Sequence, residues 1–220
     1  GMLSTAELSI LQARKEINLF AERIQRMFRM VRDLLHTENE NDFNKLFSRI
    51  EKYENISDNM EVEIANYLTQ VSEGRLSSES KLQIRGMLRE VTEIESIGDS
   101  CYNLARTINR KRRGNEDFTG AQYEHISQMF QLTDDALTQM IALVEDMHQQ
   151  VDVNKSFNIE MEINNYRNQL KNQNVIDVNE KKYDYQMGVH YMDIIAEFDK
   201  LGDYAVNVVE AHRDVKEKKA

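Results

Sequence analysis

Residues 4–35 read STAELSILQARKEINLFAERIQRMFRMVRDLL, and the fold turns on them. Ile10, Ala13, Ile17, Phe20, Ile24, Met27, Val31 and Leu34 recur in alternating steps of three and four. That period puts all eight on one stripe of an α-helix and predicts the seam of a left-handed bundle. Ser4-Thr5-Ala6-Glu7 reads as a capping box at its start. The polar run Thr37–Asn41 ends the helix and offers asparagine caps to the next.

The same spacing returns along the chain. A second seam runs Phe43, Leu46, Ile50, Tyr53, Ser57, Met60, Ile64, Tyr67, Val71 and stops near Glu73-Gly74, where a glycine C-cap is expected. Ser77 and Ser78 can cap a third, with Ile84, Met87, Val91, Ile94, Gly98, Cys101, Ala105 and Ile108 on its seam. Arg110, Lys111, Arg112 and Arg113 before Gly114 suit a helix C-terminus. Thr119–Gln122 caps a fourth seam: Tyr123, Ile126, Phe130, Thr133, Leu137, Met140, Val144, Met147. Asn154 opens a fifth helix carrying Ile159, Ile163, Tyr166 and Leu170, which the asparagine-rich segment 172–179 is expected to break. A sixth seam runs Gly188, Tyr191, Ile195, Phe198, Gly202, Ala205, Val209, His212.

Composition agrees with long helices. The 220 residues contain no proline and only eight glycines, so the usual punctuation of short strands and tight turns is missing. All-β sandwiches and dinucleotide-binding α/β folds are disfavoured. Asp and Glu outnumber Lys and Arg 38 to 28, a net charge of −10 that argues against a general nucleic-acid binder. One cysteine excludes an internal disulfide and a cysteine-cluster metal site, and fits a reducing compartment. The longest apolar run, Met140–Val144, is far short of a membrane span. No signal-peptide pattern is present, and Gly1 before Met2 reads as an expression remnant.

An internal repeat underlies the six helices. Glu95-Ser-Ile-Gly98-Asp99-Ser-Cys-Tyr-Asn103 matches Asp199-Lys-Leu-Gly202-Asp203-Tyr-Ala-Val-Asn207, and Glu54-Asn-Ile-Ser-Asp58-Asn matches Glu160-Met-Glu-Ile-Asn164-Asn. The expected architecture is all-α: two tandem three-helix bundles of six long antiparallel helices. They span residues 2–113 and 114–215, packed side by side, with a disordered tail at 216–220.

The repeat carries its own chemistry. Glu95 and Asp99 are four residues apart and share a helix face beside the seam, as do Asp199 with Asp203 and Glu54 with Asp58. Like charges so placed repel. A solvated face or hydrogen bonds to neighbouring helices explain such pairs, and so does a bound metal. A carboxylate-only shell suits hard divalent cations or iron. Gly98 and Gly202, costly inside helices, allow a helix or an ion close approach to the backbone. Glu145-Asp-Met-His148 is a single Glu-x-x-His pattern, whereas di-iron bundles use two. His36, His125, His190 and His212 share no ligand spacing, and Cys101 on a seam reads as a small core residue. Phosphate or anionic lipid could engage Arg110–Arg113, but helix-end duty accounts for that cluster. No nucleotide-binding loop or hydrolase motif appears.

Through Glu95–Asn103 and Asp199–Asn207 the chain resembles the PhoU family, whose motif reads E-R-I-G-D followed by a nearby Asn. Ser96 and Lys200 replace the usual Arg. Glu54, Asp58 and Glu61 match the family's acidic motif in the second helix, while Asn164 and Arg167 depart from it in the second repeat. The resemblance implies paired three-helix bundles and metal held by Glu54, Asp58, Glu95 and Asp99 in one repeat and by Glu160, Asp199 and Asp203 in the other. Glu61, Asn103, Asn164 and Asn207 would support the ligands. The metal would be iron, zinc or another divalent cation, as an ion or a cluster. The family further implies a non-catalytic, cytoplasmic regulator of phosphate transport or signalling. Its partner would be a transporter membrane domain or a sensor kinase; the sequence leaves a homo-oligomer open. Thr5–Glu16 is similar to the start of the PhoU-like region of bacterial sodium/phosphate cotransporters, which implies tethering at the inner membrane. The rival expectations are a spectrin-like adaptor without metal and a carboxylate di-iron enzyme.

Overall fold

The computed structural model describes residues 4–146 and 152–219, with α6 side chains described through 216. Six helices follow in order: α1 (Thr5–Leu35), α2 (Glu40–Ser72), α3 (Ser78–Arg113), α4 (Gly120–Glu145), α5 (Asn154–Asn179) and α6 (Tyr185–Lys219). Their starts are written locally. Ser4, Asn39 and Ser77 each accept a hydrogen bond from the backbone N–H three residues on. Thr119 and Gln122 complete a reciprocal capping box. Asp184 Oδ1 accepts from Met187 N at 2.8 Å and opens α6. None of the described helices is long and apolar enough to cross a membrane.

Three helix ends differ from expectation. The asparagine-rich segment does not break α5, which runs to Asn179. Asparagine inside a helix costs only a fraction of a kcal/mol, and tertiary bonds use its side chains: Tyr183 donates to Asn174 Oδ1 at 2.6 Å. The helix ends instead at Lys181, in the left-handed region at φ 57°. The N–H groups of Lys181 and Lys182 return to the carbonyls of Val178 and Asp177, a Schellman closure. Conversely, none of the described glycines takes a positive φ. Gly74 and Gly114 lie at helix ends without the left-handed turn expected of a glycine cap. Because an L-residue at Lys181 is strained, Lys181→Gly is expected to raise stability by about 0.5–1 kcal/mol, read as a higher denaturant midpoint. An unchanged or lower midpoint would refute that account.

The first three helices pack on one another and the last three do likewise; α3 against α6 and α1 against α4 join the two sets. α2 and α5 are therefore the outer helices, each touching only the two partners of its own set. All eight α1 seam residues are buried, and one apolar core threads all six helices. At the junction Phe28, Phe130 and Phe198 form a ring cluster, with centroids 4.8–6.4 Å apart. Arg29 adds a forked bond to Asp134 on α4 at 3.0 and 3.2 Å. Met147 and His148 lie outside the described residues. α6 continues to Lys219, and Lys216 Nζ donates to the Asp146 carbonyl at 2.8 Å.

Candidate metal centre

The acidic motifs face each other across the groove between an outer helix and the helix behind it. In the first half α2 brings Glu54, Asp58 and Glu61 from consecutive turns against Glu95 and Asp99 on α3. Carboxylate oxygens of Glu54, Asp58 and Asp99 lie within 4.8 Å of one another, close enough to share one cation. Glu54 is only 8% exposed, and its Oε2 has no hydrogen-bond partner. An orphaned buried carboxylate oxygen is costly, and a bound cation would satisfy it.

The electrostatics point the same way. Burial, the close approach of the Asp99 carboxyl and the charges of Asp58, Asp99 and Glu95 push the Glu54 carboxyl up to about 9. Burial, a hydrogen bond to Asp99 and its other acidic neighbours push Glu95 up to about 8. Burial, then neighbouring carboxylates, also raises Asp58 and Glu61. The charges that dominate at these four groups are those of neighbouring carboxylates. Glu54 and Glu95 thus favour their protonated forms, which eases a repulsion that a divalent ion would relieve better.

Gly98 is the floor of this site. A Cβ there would stand 2.9 Å from Ile24 Cδ1, 3.5 Å from Met27 Cε and 3.6 Å from Glu54 Oε2. The missing side chain lets α1 and the Glu54 carboxylate close onto α3. Gly98→Val is expected to cost about 2–3 kcal/mol by overpacking, measured by chemical denaturation; a loss below 1 kcal/mol would show that the groove has slack. Gly202 is packed by Ile163, 3.2 Å from the corresponding Cβ position.

The second half is different. Glu160 on α5 hydrogen-bonds Asp203 on α6; burial and that bond raise its carboxyl, and Asp199 and Glu210 add to the effect. Burial and Asp203 raise Asp199, whereas Arg167 pulls it down. Asn164 stands where the first half has Asp58, and its Oδ1 accepts from Asn168 Nδ2 at 3.1 Å. Among the described residues, no other group of three potential ligands comes as close as Glu54, Asp58 and Asp99.

The supporting asparagines turn elsewhere. Asn207 Nδ2 donates to Glu93 on α3 at 3.1 Å, and Asn103 Oδ1 accepts from Arg106. His125 pairs with the Tyr191 hydroxyl at 3.0 Å, His190 with Gln186, and His36 packs on Tyr123. A hydrogen bond to Glu22, then partial burial, raises Glu145 to about 7. Its expected companion, His148, lies outside the described residues. Burial, followed by Glu54 and Glu197, drives the wholly buried Cys101 thiol well above its ordinary value, which disqualifies it as a nucleophile at neutral pH. Arg110 donates to Thr107, Lys111 to Asp117 and Tyr123, and Arg112 to the carbonyls of Thr37 and Glu38. Two of these basic side chains thus fasten the α1–α2 and α3–α4 connections.

One polar cluster had no counterpart in the sequence pattern. Glu90 on α3 is buried and accepts two bonds from Arg14 of α1, at 3.0 and 2.8 Å. His212 Nδ1 of α6 lies 3.5 Å from the same carboxylate. The only trace in the chain is a charged residue on the inner side of each helix.

Residues 17–108 match the model of the PhoU domain. The whole fold is similar to the phosphate transport system regulatory protein PhoU from Streptococcus pneumoniae, with a TM-score of 0.82 at 12% identity over 97% of this chain and 98% of that one. PhoU from Pseudomonas aeruginosa gives a TM-score of 0.84 at 12% identity over 96% and 99%. A PhoU-like protein from Shewanella oneidensis MR-1 gives 0.68 at 15% identity over 99% and 100%. No curated protein matches the chain in sequence.

Proposed function

With a PhoU domain at residues 17–108, we propose that this protein is a non-catalytic regulator of phosphate transport or signalling whose α2–α3 groove holds a divalent metal. One observation carries the metal reading: Glu54, Asp58 and Asp99 bring carboxylate oxygens within 4.8 Å of one another, and Glu54 keeps a buried Oε2 without a hydrogen-bond partner. Glu95 and Glu61 complete an all-oxygen set. That chemistry favours hard cations and iron, and admits zinc. The metal's task is structural and electrostatic. It locks α2 to α3 and converts a repelling acidic patch into a fixed surface. Glu54, Asp58 and Asp99 position it, and Glu61 reaches the rim.

On this reading the acidic face meets a partner on the cytoplasmic side, either a phosphate transporter's membrane domain or a sensor kinase. Fusion to a sodium/phosphate cotransporter is the finer version of the proposal, supported by Thr5–Glu16; a run of hydrophobic helices encoded upstream of Met2 would establish it. Deletion in the source organism tests the function. Phosphate uptake or phosphate-starvation genes should become active in phosphate-replete medium, and the wild-type chain should restore control. Unaltered uptake and expression after deletion would overturn the proposal.

A further inference from the structure

The two halves repeat their motifs but not their charges. At the α2–α3 site the carboxylates of Glu54, Asp58, Glu61, Glu95 and Asp99 gather, and the charges that dominate on the four that are raised are one another's. In the α5–α6 site the matching positions read Glu160, Asn164, Arg167, Asp199 and Asp203. One ligand has become an amide and another a guanidinium. Arg167 is partly buried, donates through Nη1 to Asn168 Oδ1 at 3.1 Å, and keeps its Nε buried without a partner. Asp199 Oδ1 is likewise buried and unpartnered, and the Arg167 charge acts on it. An orphaned donor and an orphaned acceptor therefore occupy the place where the first half offers only acceptors.

Resting on the metal reading of the first groove, we infer that the chain holds one metal centre, between α2 and α3, and that Arg167 is the resident cation of the α5–α6 cluster. A divalent ion there would have to enter beside a fixed positive charge, with the ligand equivalent to Asp58 missing. Coulomb repulsion in a partly buried site is weakly screened, so the ion is excluded. The first groove responds to metal supply, whereas in the second Arg167 permanently offsets part of the acidic charge. Repeat-related sites thus acquire different roles through two substitutions.

Titration with Mn2+, Zn2+ and Fe2+, followed by calorimetry and metal analysis of the dialysed protein, tests the inference. Wild type should bind one equivalent, Asp99→Asn none, and the double variant Asn164→Asp with Arg167→Glu two. If the double variant fails to fold, Mn2+ line broadening in wild-type NMR spectra decides: resonances around Asp99 should vanish while those around Asp203 persist. Two equivalents in wild type, or broadening around Asp203, would overturn the inference and leave the first metal site standing. No binding by wild type but one equivalent in the double variant would overturn the Proposed function's metal reading and support the role of Arg167. No binding by any form would overturn both.

Discussion

Arg14→Ala is expected to remove about 3–5 kcal/mol of stability, a large part of the roughly 5–15 kcal/mol that holds a domain together. The side chain sits on α1 and grips Glu90 of α3 with two parallel bonds. Glu90 is 1% exposed, so it cannot turn to water when its partner is gone. Burial alone would push its carboxyl up; Arg14 and His212 more than offset that and hold it below the usual 4.5. A carboxylate depressed in the folded state contributes stability that is fully present above its unfolded value and is lost as pH falls through the folded one. The wild type should therefore weaken progressively on acidification below about pH 4.5, and Glu90→Gln should flatten that part of the profile. Equilibrium denaturation between pH 3 and 7 measures both effects. A loss under 1 kcal/mol for Arg14→Ala would mean that His212 or water replaces the guanidinium. Exchanging Arg14 and Glu90 together for Met and Leu should recover most of the loss, because a buried pair and a packed apolar pair are of similar worth.

Asp99→Asn should act with opposite signs in the absence and presence of metal. Without metal it takes a negative charge out of a cluster whose members already raise one another, so the melting temperature should rise. With metal it loses one of the three converging ligands, and affinity should fall at least about 100-fold. Wild type at 100 times its dissociation constant should gain about 2.7 kcal/mol; the variant at that concentration should gain almost nothing. Thermal melts with and without Mn2+, Zn2+ and Fe2+, after chelator treatment, read this directly. Equal stabilisation of wild type and variant would remove Asp99 from the site, and Glu54 with it.

The fold was legible because its signals are local. The α1 seam, the Ser4, Asn39, Ser77 and Thr119 caps and the absent prolines act within a few residues, and each appears where the spacing puts it. The end of α5 is not legible in the sequence because asparagine content is a weak signal; a left-handed lysine and a tyrosine from beyond the turn decide that end. At the site, helical period alone stacked Glu54 over Asp58 and Glu95 over Asp99. It carried no information on which pairs meet, since that depends on the rotation of α2 against α3.

By itself the sequence determined six amphipathic helices, a twofold repeat and acidic pairs on seam-edge faces, because periodicity and capping are properties of a single helix. Tertiary structure alone decided that Glu54, Asp58 and Asp99 converge, that Arg167 stands among the second set of acids, and that Glu90 is buried between Arg14 and His212. Each of these joins side chains from different helices, and their burial, not their identity, sets the strength of the charges between them.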